Sequence, residues 1–229
     1  MLKNNRFWEI DSLRGIAIIM MIVFHFLFDL NFFGIFQINV FEGFWEIFGK
    51  ITFTIFLVLV GISLNISSSS NIKRGLKIFS WGMLITLVTY LVIPYAYVRF
   101  GILHLIGISV IISYPFLRFK YANLAIGAII IAIGLYLQTL TFNFSFLIWL
   151  GFKPTEYFAV DHFPILPYFG IILIGLFLGK ILYPNSERKF KIPNVSIPFL
   201  EFLGKHSLVI YLVHQPLLII LLYGASKYL

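Results

Sequence analysis

The sequence predicts an all-α fold, a polytopic transmembrane bundle of about seven spans with a cytoplasmic N-terminus, and three observations predict it. First, 60% of the 229 residues are apolar and only 11% are charged, with a mean hydropathy of +0.98. A soluble domain carries about 25% charged residues, so water is not the main solvent of this surface. Second, the apolar runs are continuous and near the roughly 20 residues a helix needs to cross the hydrocarbon core. They lack the period-two alternation of a transmembrane barrel, which disfavours that class. Third, the basic residues are sorted along the chain, as counted below.

The first span is expected from about Leu13 to Phe33 and the second from about Phe44 to Ile66. A polar tract, Ser67 to Asn71 with Lys73, Arg74 and Lys77, separates them from a third span at about Ile78 to Val98. A short fourth span follows at about Gly101 to Leu117, and a fifth at about Tyr121 to Leu140. Thr141 to His162 is aromatic but broken by Gly151, Pro154, Glu156 and Asp161, and reads as an extended outer loop or a re-entrant piece. The sixth span covers about Pro164 to Leu182, and a basic, proline-punctuated loop leads to the last, about Ser207 to Tyr223. Asp11-Ser12 precedes the first apolar run, and no small-residue cleavage site follows it. That run is therefore expected to be a retained span, within one domain over residues 1–229.

With the N-terminus inside, the cytoplasmic side holds Lys3, Arg6, Arg14, Lys73, Arg74, Lys77, Arg118, Lys120, Lys180, Arg188, Lys189, Lys191 and Lys205. The outside keeps Lys50, Arg99, Lys153 and Lys227. This 13-to-4 division obeys the positive-inside rule, and an eighth span near Thr141 would invert the later loops. The net charge of +8 is thus accounted for by basic cytoplasmic loops, and no nucleic-acid partner is expected. There is no cysteine, which excludes disulfide and thiolate chemistry. Nucleotide-loop, nucleophile-elbow and His-Glu-x-x-His motifs are absent, and the five histidines are dispersed, so no metal is expected.

Ionisable side chains at bilayer depth cost a few kcal/mol and call for partners. Asp11, Arg14, His25 and Asp29 share one face of the first helix, since at 100° per residue they fall within about 40° of His25. Arg14 and His25 stand roughly 16 Å apart along the axis. Such a stripe must line a cavity or pack inside the bundle. Blander readings stay open beside this one: an interfacial Asp11–Arg14 ion pair, a His25 bonded to a backbone carbonyl, an Asp29 that ends the helix. A second polar group gathers on the outer side, Arg99, His104, Asp161 and His162, with wet loop residues as the alternative. The last span carries Lys205 and His206 at its inner end, where snorkelling is the plain reading. His214 and Gln215 precede Pro216, which removes a helix hydrogen bond.

The segment IDSLRGIA (residues 10–17), with His25 separated from Arg14 by ten residues, resembles the first helix of membrane acyltransferases. FLVLVGISL (56–64), RFGILHLIG (99–107), DHFPILPYFG (161–170) and LGKHSLVIYLVHQP (203–216) narrow the likeness. Together they resemble the prokaryotic relatives of heparan-alpha-glucosaminide N-acetyltransferase over nearly the whole chain. The lysosomal member is larger and carries its catalytic histidine after the corresponding helix, where Asn31 to Glu46 has none here. His25 takes that role by the spacing of the other acyltransferase branch. The resemblance implies transfer of an acetyl or acyl group from cytoplasmic acetyl-CoA to a hydroxyl or amine of a saccharide or glycolipid acceptor outside. It implies a plasma-membrane enzyme among lipids, and a homo-oligomer is a further expectation. On this reading His25 is base or acyl carrier, Asp29 orients or charge-stabilises it, and one of Arg99, His104, Asp161 and His162 polarises the carbonyl. Arg14, Asp11, Arg74, Lys205 and His206 serve the CoA end, while Arg99, His104, His214 and Gln215 serve the acceptor. The competing classes are a small proton-coupled transporter or channel using the same stripe, and a non-catalytic scaffold subunit.

Overall fold

A computed structural model describes residues 6–67, 71–190, 193 and 195–225. Lys3, Lys191 and Lys227 of the charge count, and serines 68–70 of the polar tract, lie outside the described residues. Among the described residues the fold is helical throughout: α1 (Trp8–Phe32), α2 (Gly43–Ile66), α3 (Asn71–Val92), α4 (Ile102–Ile112), α5 (Tyr121–Leu137), α6 (Ile165–Leu182), α7 (Pro198–Lys205) and α8 (Ser207–Ala225). Five of these, α1, α2, α3, α6 and α8, are long and apolar enough to cross a membrane, while α4 and α5 are shorter apolar helices. The protein is an integral membrane helical bundle.

Local chemistry moves several boundaries. Helix α3 starts at Asn71, not near Ile78, so Lys73, Arg74 and Lys77 lie on its first turns rather than in a loop. Long basic side chains keep their charge at the interface while their stems cover apolar surface, so helix can continue through them. The same helix stops at Val92 because Pro94 disfavours helical backbone in the residue before it. Helix α4 ends at Ile112, and a 3₁₀ turn over Tyr114–Arg118 takes its place, with Pro115 at the turn's start. Residues 141–163 form turns and two isolated bridges, Phe142 with Pro154 and Phe100 with His162. Gly151 makes one of these turns with φ of +129°, a conformation open to glycine. Helix α7 lies within the stretch expected to be a proline-punctuated loop, because Pro198 at the first helical position starts a helix.

The described chain divides into two compact units, with the division inside α2 at residues 56 and 57. In the unit of residues 57–190, α3 packs on α4, α5 on α6, and the second half of α2 on α6. Glycines set these contacts. A Cβ on Gly61 would strike the Ile172 carbonyl, and one on Gly175 would strike that of Val58. On the other pair, a Cβ on Gly107 would sit 2.7 Å from the Phe79 nitrogen. Lipid tails are as apolar as leucine, so helix association in a bilayer relies on this close packing. Asn65 adds a polar lock: its amide donates to the carbonyls of Gly179 and Tyr183, each at 3.0 Å, which satisfies the C-terminal end of α6.

In the unit of Arg6–Phe56 with the C-terminal segment, α1 is the axis. Helix α7 lies against its first half, where a Cβ on Gly15 would meet the Leu200 carbonyl and one on Gly204 the Asp11 carbonyl. Helix α8 packs on α1 as well.

These contacts make Gly61→Val strongly destabilising. We expect a loss of about 1–3 kcal/mol, the usual cost of overpacking, seen as a lower thermal midpoint of the purified protein in detergent. Gly224→Ala, with nothing within 4 Å of the new methyl, should leave the midpoint unmoved.

Candidate active site on α1 and α8

At the N-terminal end of α1, Arg14 donates to Asp11 at 3.0 Å, an i,i+3 ion pair with both side chains largely covered. The other Asp11 oxygen, the Ser12 hydroxyl and the Trp8 indole N–H are buried with no hydrogen-bond partner among the described residues. Helix α7 covers this end and carries Lys205, which bonds Glu201 at 2.9 Å. Glu201 also accepts from the Ser196 hydroxyl. That hydroxyl, followed by Lys205, holds the Glu201 carboxyl below its usual range. His206 ends α7, exposed, with Nδ1 at 2.9 Å from the Phe202 carbonyl. Arg14, Asp11, Lys205 and His206 thus sit on two helices packed together. Arg74 belongs to the first turns of α3, in the other unit.

Nearly three turns along α1, His25 directs Nδ1 at the Met21 carbonyl, 3.1 Å away. A carbonyl only accepts, so Nδ1 carries the proton and Nε2 keeps its lone pair. His214 on α8 repeats this arrangement, with Nδ1 at 2.6 Å from the Tyr211 carbonyl and Nε2 buried with no hydrogen-bond partner among the described residues. The two rings meet edge to face with centroids 4.8 Å apart. One turn further, Asp29 is 2% exposed and accepts from the Gln215 amide through both oxygens, at 2.8 and 3.0 Å. Gln215 therefore turns its Oε1 away, where it is buried with no hydrogen-bond partner among the described residues. The expected shared face of α1 is real, but its pairing differs from the sequence reading. Met21, not Asp29, orients His25, because a carbonyl four residues back is always within reach of a helical histidine. Asp29 instead engages α8.

The second polar group lies in the unit of residues 57–190, around the start of α4. His104 is 2% exposed, and its Nδ1 accepts the Gly101 N–H at 3.1 Å. Thr86 gives its hydroxyl proton to the Val98 carbonyl at 2.6 Å, so its oxygen accepts from His104 Nε2 at 3.2 Å. Both ring nitrogens are engaged, with Phe79 and Phe100 packed on the ring at 5.4 Å. His104 thus has no nitrogen to offer an acceptor, contrary to the sequence reading, and works as a latch between α3 and α4. Asp161 accepts the Ile102 N–H at 3.1 Å and so caps α4. Arg99 lies over the rings of Tyr97 and Tyr157, at 5.1 and 5.2 Å. Burial pushes the Tyr157 phenol up to about 12, against the opposing pull of Arg99. His162 stacks edge-on to Tyr157 at 5.0 Å, and its Nδ1 is buried with no hydrogen-bond partner among the described residues. Burial, assisted by Lys153, lowers His162 to about 4.

Inside an integral membrane bundle, α1 and α8 thus bring two imidazoles and a carboxylate together. Residues 6–216 match the family described as heparan-alpha-glucosaminide N-acetyltransferase, catalytic. The chain belongs to that family, and with it to the membrane acetyltransferases. No curated protein and no solved structure matches the chain.

The lowered His162 carries a pH signature. The folded ring stays neutral down to about 4, whereas an unfolded histidine takes its proton near 6.5. Its contribution to stability is therefore complete above about pH 6.5 and is lost as pH falls toward about 4. The thermal midpoint should drop between pH 7 and pH 5, and the drop should shrink in His162→Phe. An equal drop in both proteins would contradict this.

Proposed function

We propose that this protein moves an acetyl group from cytoplasmic acetyl-CoA to a hydroxyl or amine of a saccharide or glycolipid acceptor on the outer side of the plasma membrane. The observation that carries the reading is the His25 ring, fixed by the Met21 carbonyl with Nε2 as an open base on the polar face of α1. Acetyl transfer needs such a group. The acceptor's O–H or N–H proton passes to Nε2 as oxygen or nitrogen bonds the thioester carbon, and the C–S bond then breaks. The electron pair leaves on sulfur, and the proton follows it to give the free thiol of CoA.

The negative charge of Asp29, one turn from His25, favours the imidazolium that forms in between. Arg14 and Lys205, on α1 and α7, supply cations for the CoA phosphates, with Asp11 holding the Arg14 fork in place. Arg74 and His206 are proposed for the same end on their charge and chain position. The cluster of Arg99, Asp161 and His162 is proposed to recognise the acceptor, with His104 and Asp161 fixing the start of α4 that precedes it. The orientation this requires, N-terminus inside, rests on the 13-to-4 sorting of basic residues.

Purified protein given labelled acetyl-CoA and saccharide acceptors should release CoA and label the acceptor, whereas a transporter would do neither. His25→Ala should lower kcat by about 100-fold to 10,000-fold, the range for loss of a general base. A variant that elutes as a single species and keeps the full rate would sink the assignment. Arg14→Gln should raise KM for acetyl-CoA by about 10-fold or more, as expected for losing a charge-assisted hydrogen bond, with kcat changed little.

A further inference from the structure

The geometry points to a second imidazole in the transfer step: we infer that His214 works with His25 as one proton-carrying pair, with Gln215 positioning Asp29 beside it. The inference rests on the acyl-transfer reading above and adds a residue to it. Three observations carry it. The tautomers match, since His25 and His214 each give the Nδ1 proton to a carbonyl of their own helix, Met21 and Tyr211. The rings are in contact, with centroids at 4.8 Å. And the site's remaining polar atoms are acceptors. The His214 Nε2 and the Gln215 Oε1 are buried with no hydrogen-bond partner among the described residues, and the lone pair of His25 Nε2 and the carboxylate of Asp29 lie on α1, with the Gln215 amide already turned to Asp29.

A buried cluster made only of acceptors is incomplete until a proton or a donor arrives. A structural histidine in this fold looks different: His104 spends one nitrogen as donor and the other as acceptor. His214 spends one and keeps the other, with its ring against that of His25, which has done the same.

Acetyl transfer moves one proton from the acceptor to the departing sulfur. The acceptor's heteroatom bonds the carbonyl carbon, and its proton goes to one Nε2. The two rings in contact share that proton, and the pair yields it to the thiolate as the C–S bond breaks. Both imidazoles end neutral, with Nδ1 still bonded to its carbonyl. Asp29 lies one turn along α1 from His25, and Gln215 is the chain neighbour of His214. The Asp29–Gln215 contact therefore ties the charge that stabilises the protonated pair to the same two helices that bring the rings together.

The test is steady-state acetyl transfer by His214→Asn, His25→Ala and the double variant, each checked as a single species in detergent. Asparagine keeps an N–H for the Tyr211 carbonyl and removes the Nε2 base, so a merely structural His214 tolerates it. The pair predicts a fall in kcat of at least about 100-fold, KM for acetyl-CoA within about 3-fold, and a double variant no slower than His25→Ala alone, as residues acting as a unit behave. Wild-type kcat in His214→Asn overturns the pair and leaves the role of His25 standing. Losses that multiply in the double variant overturn it too, since His214 then acts by itself. Full activity in His25→Ala overturns the acyl-transfer assignment beneath it. Should His214→Asn fail to fold, His214→Gln takes its place, with the same fall in kcat expected and a wild-type rate overturning the pair.

Discussion

Hydrocarbon offers no hydrogen bonds, so every polar group that this chain carries into the membrane must be answered from within the chain. That constraint organises both units. Asn65 answers the last carbonyls of α6, Thr86 answers His104 and Val98 together, and Gln215 answers Asp29. Each pair joins two elements far apart in sequence or at opposite ends of a loop, so polar satisfaction doubles as helix registration. Glycine makes the pairing possible, because side chains this short bridge two helices only when the backbones touch.

The histidines of the bundle meet the same constraint in different ways. An imidazole has two nitrogens, and His104 uses both, holding α3 to α4. His25 and His214 each use one, on a carbonyl of their own helix, and retain a lone pair on the other. His214 keeps that lone pair buried with no partner among the described residues, which is costly.

Much of the fold was legible in the amino-acid order. Long apolar runs declare membrane helices whatever their neighbours, and the stripe of Asp11, Arg14, His25 and Asp29 on one face of α1 follows from the helical repeat alone. The family likeness was legible too, in short segments spread over the chain. Helix α7 was hidden, since eight residues are too few to show a span-like pattern and a proline at the first turn looks like a breaker in sequence. The early start of α3 was hidden by its basic residues, which interrupt apolarity without interrupting helix. The signal that would have found α7 was present in Pro198 followed by Glu201 and Lys205, a helix start with an i,i+4 ion pair.

Sequence by itself determined the solvent of this protein, its helical class, the polar face of its first helix and the family to which it belongs. These follow from composition, periodicity and residue order, which need no knowledge of neighbours. Only tertiary structure decided what each polar residue does, because a hydrogen-bond partner is a matter of distance across helices. It turned His104 from an expected acceptor-binding residue into a latch and moved Asp29 from His25 to Gln215. It also brought His214 from 189 residues away in the chain into ring contact with His25.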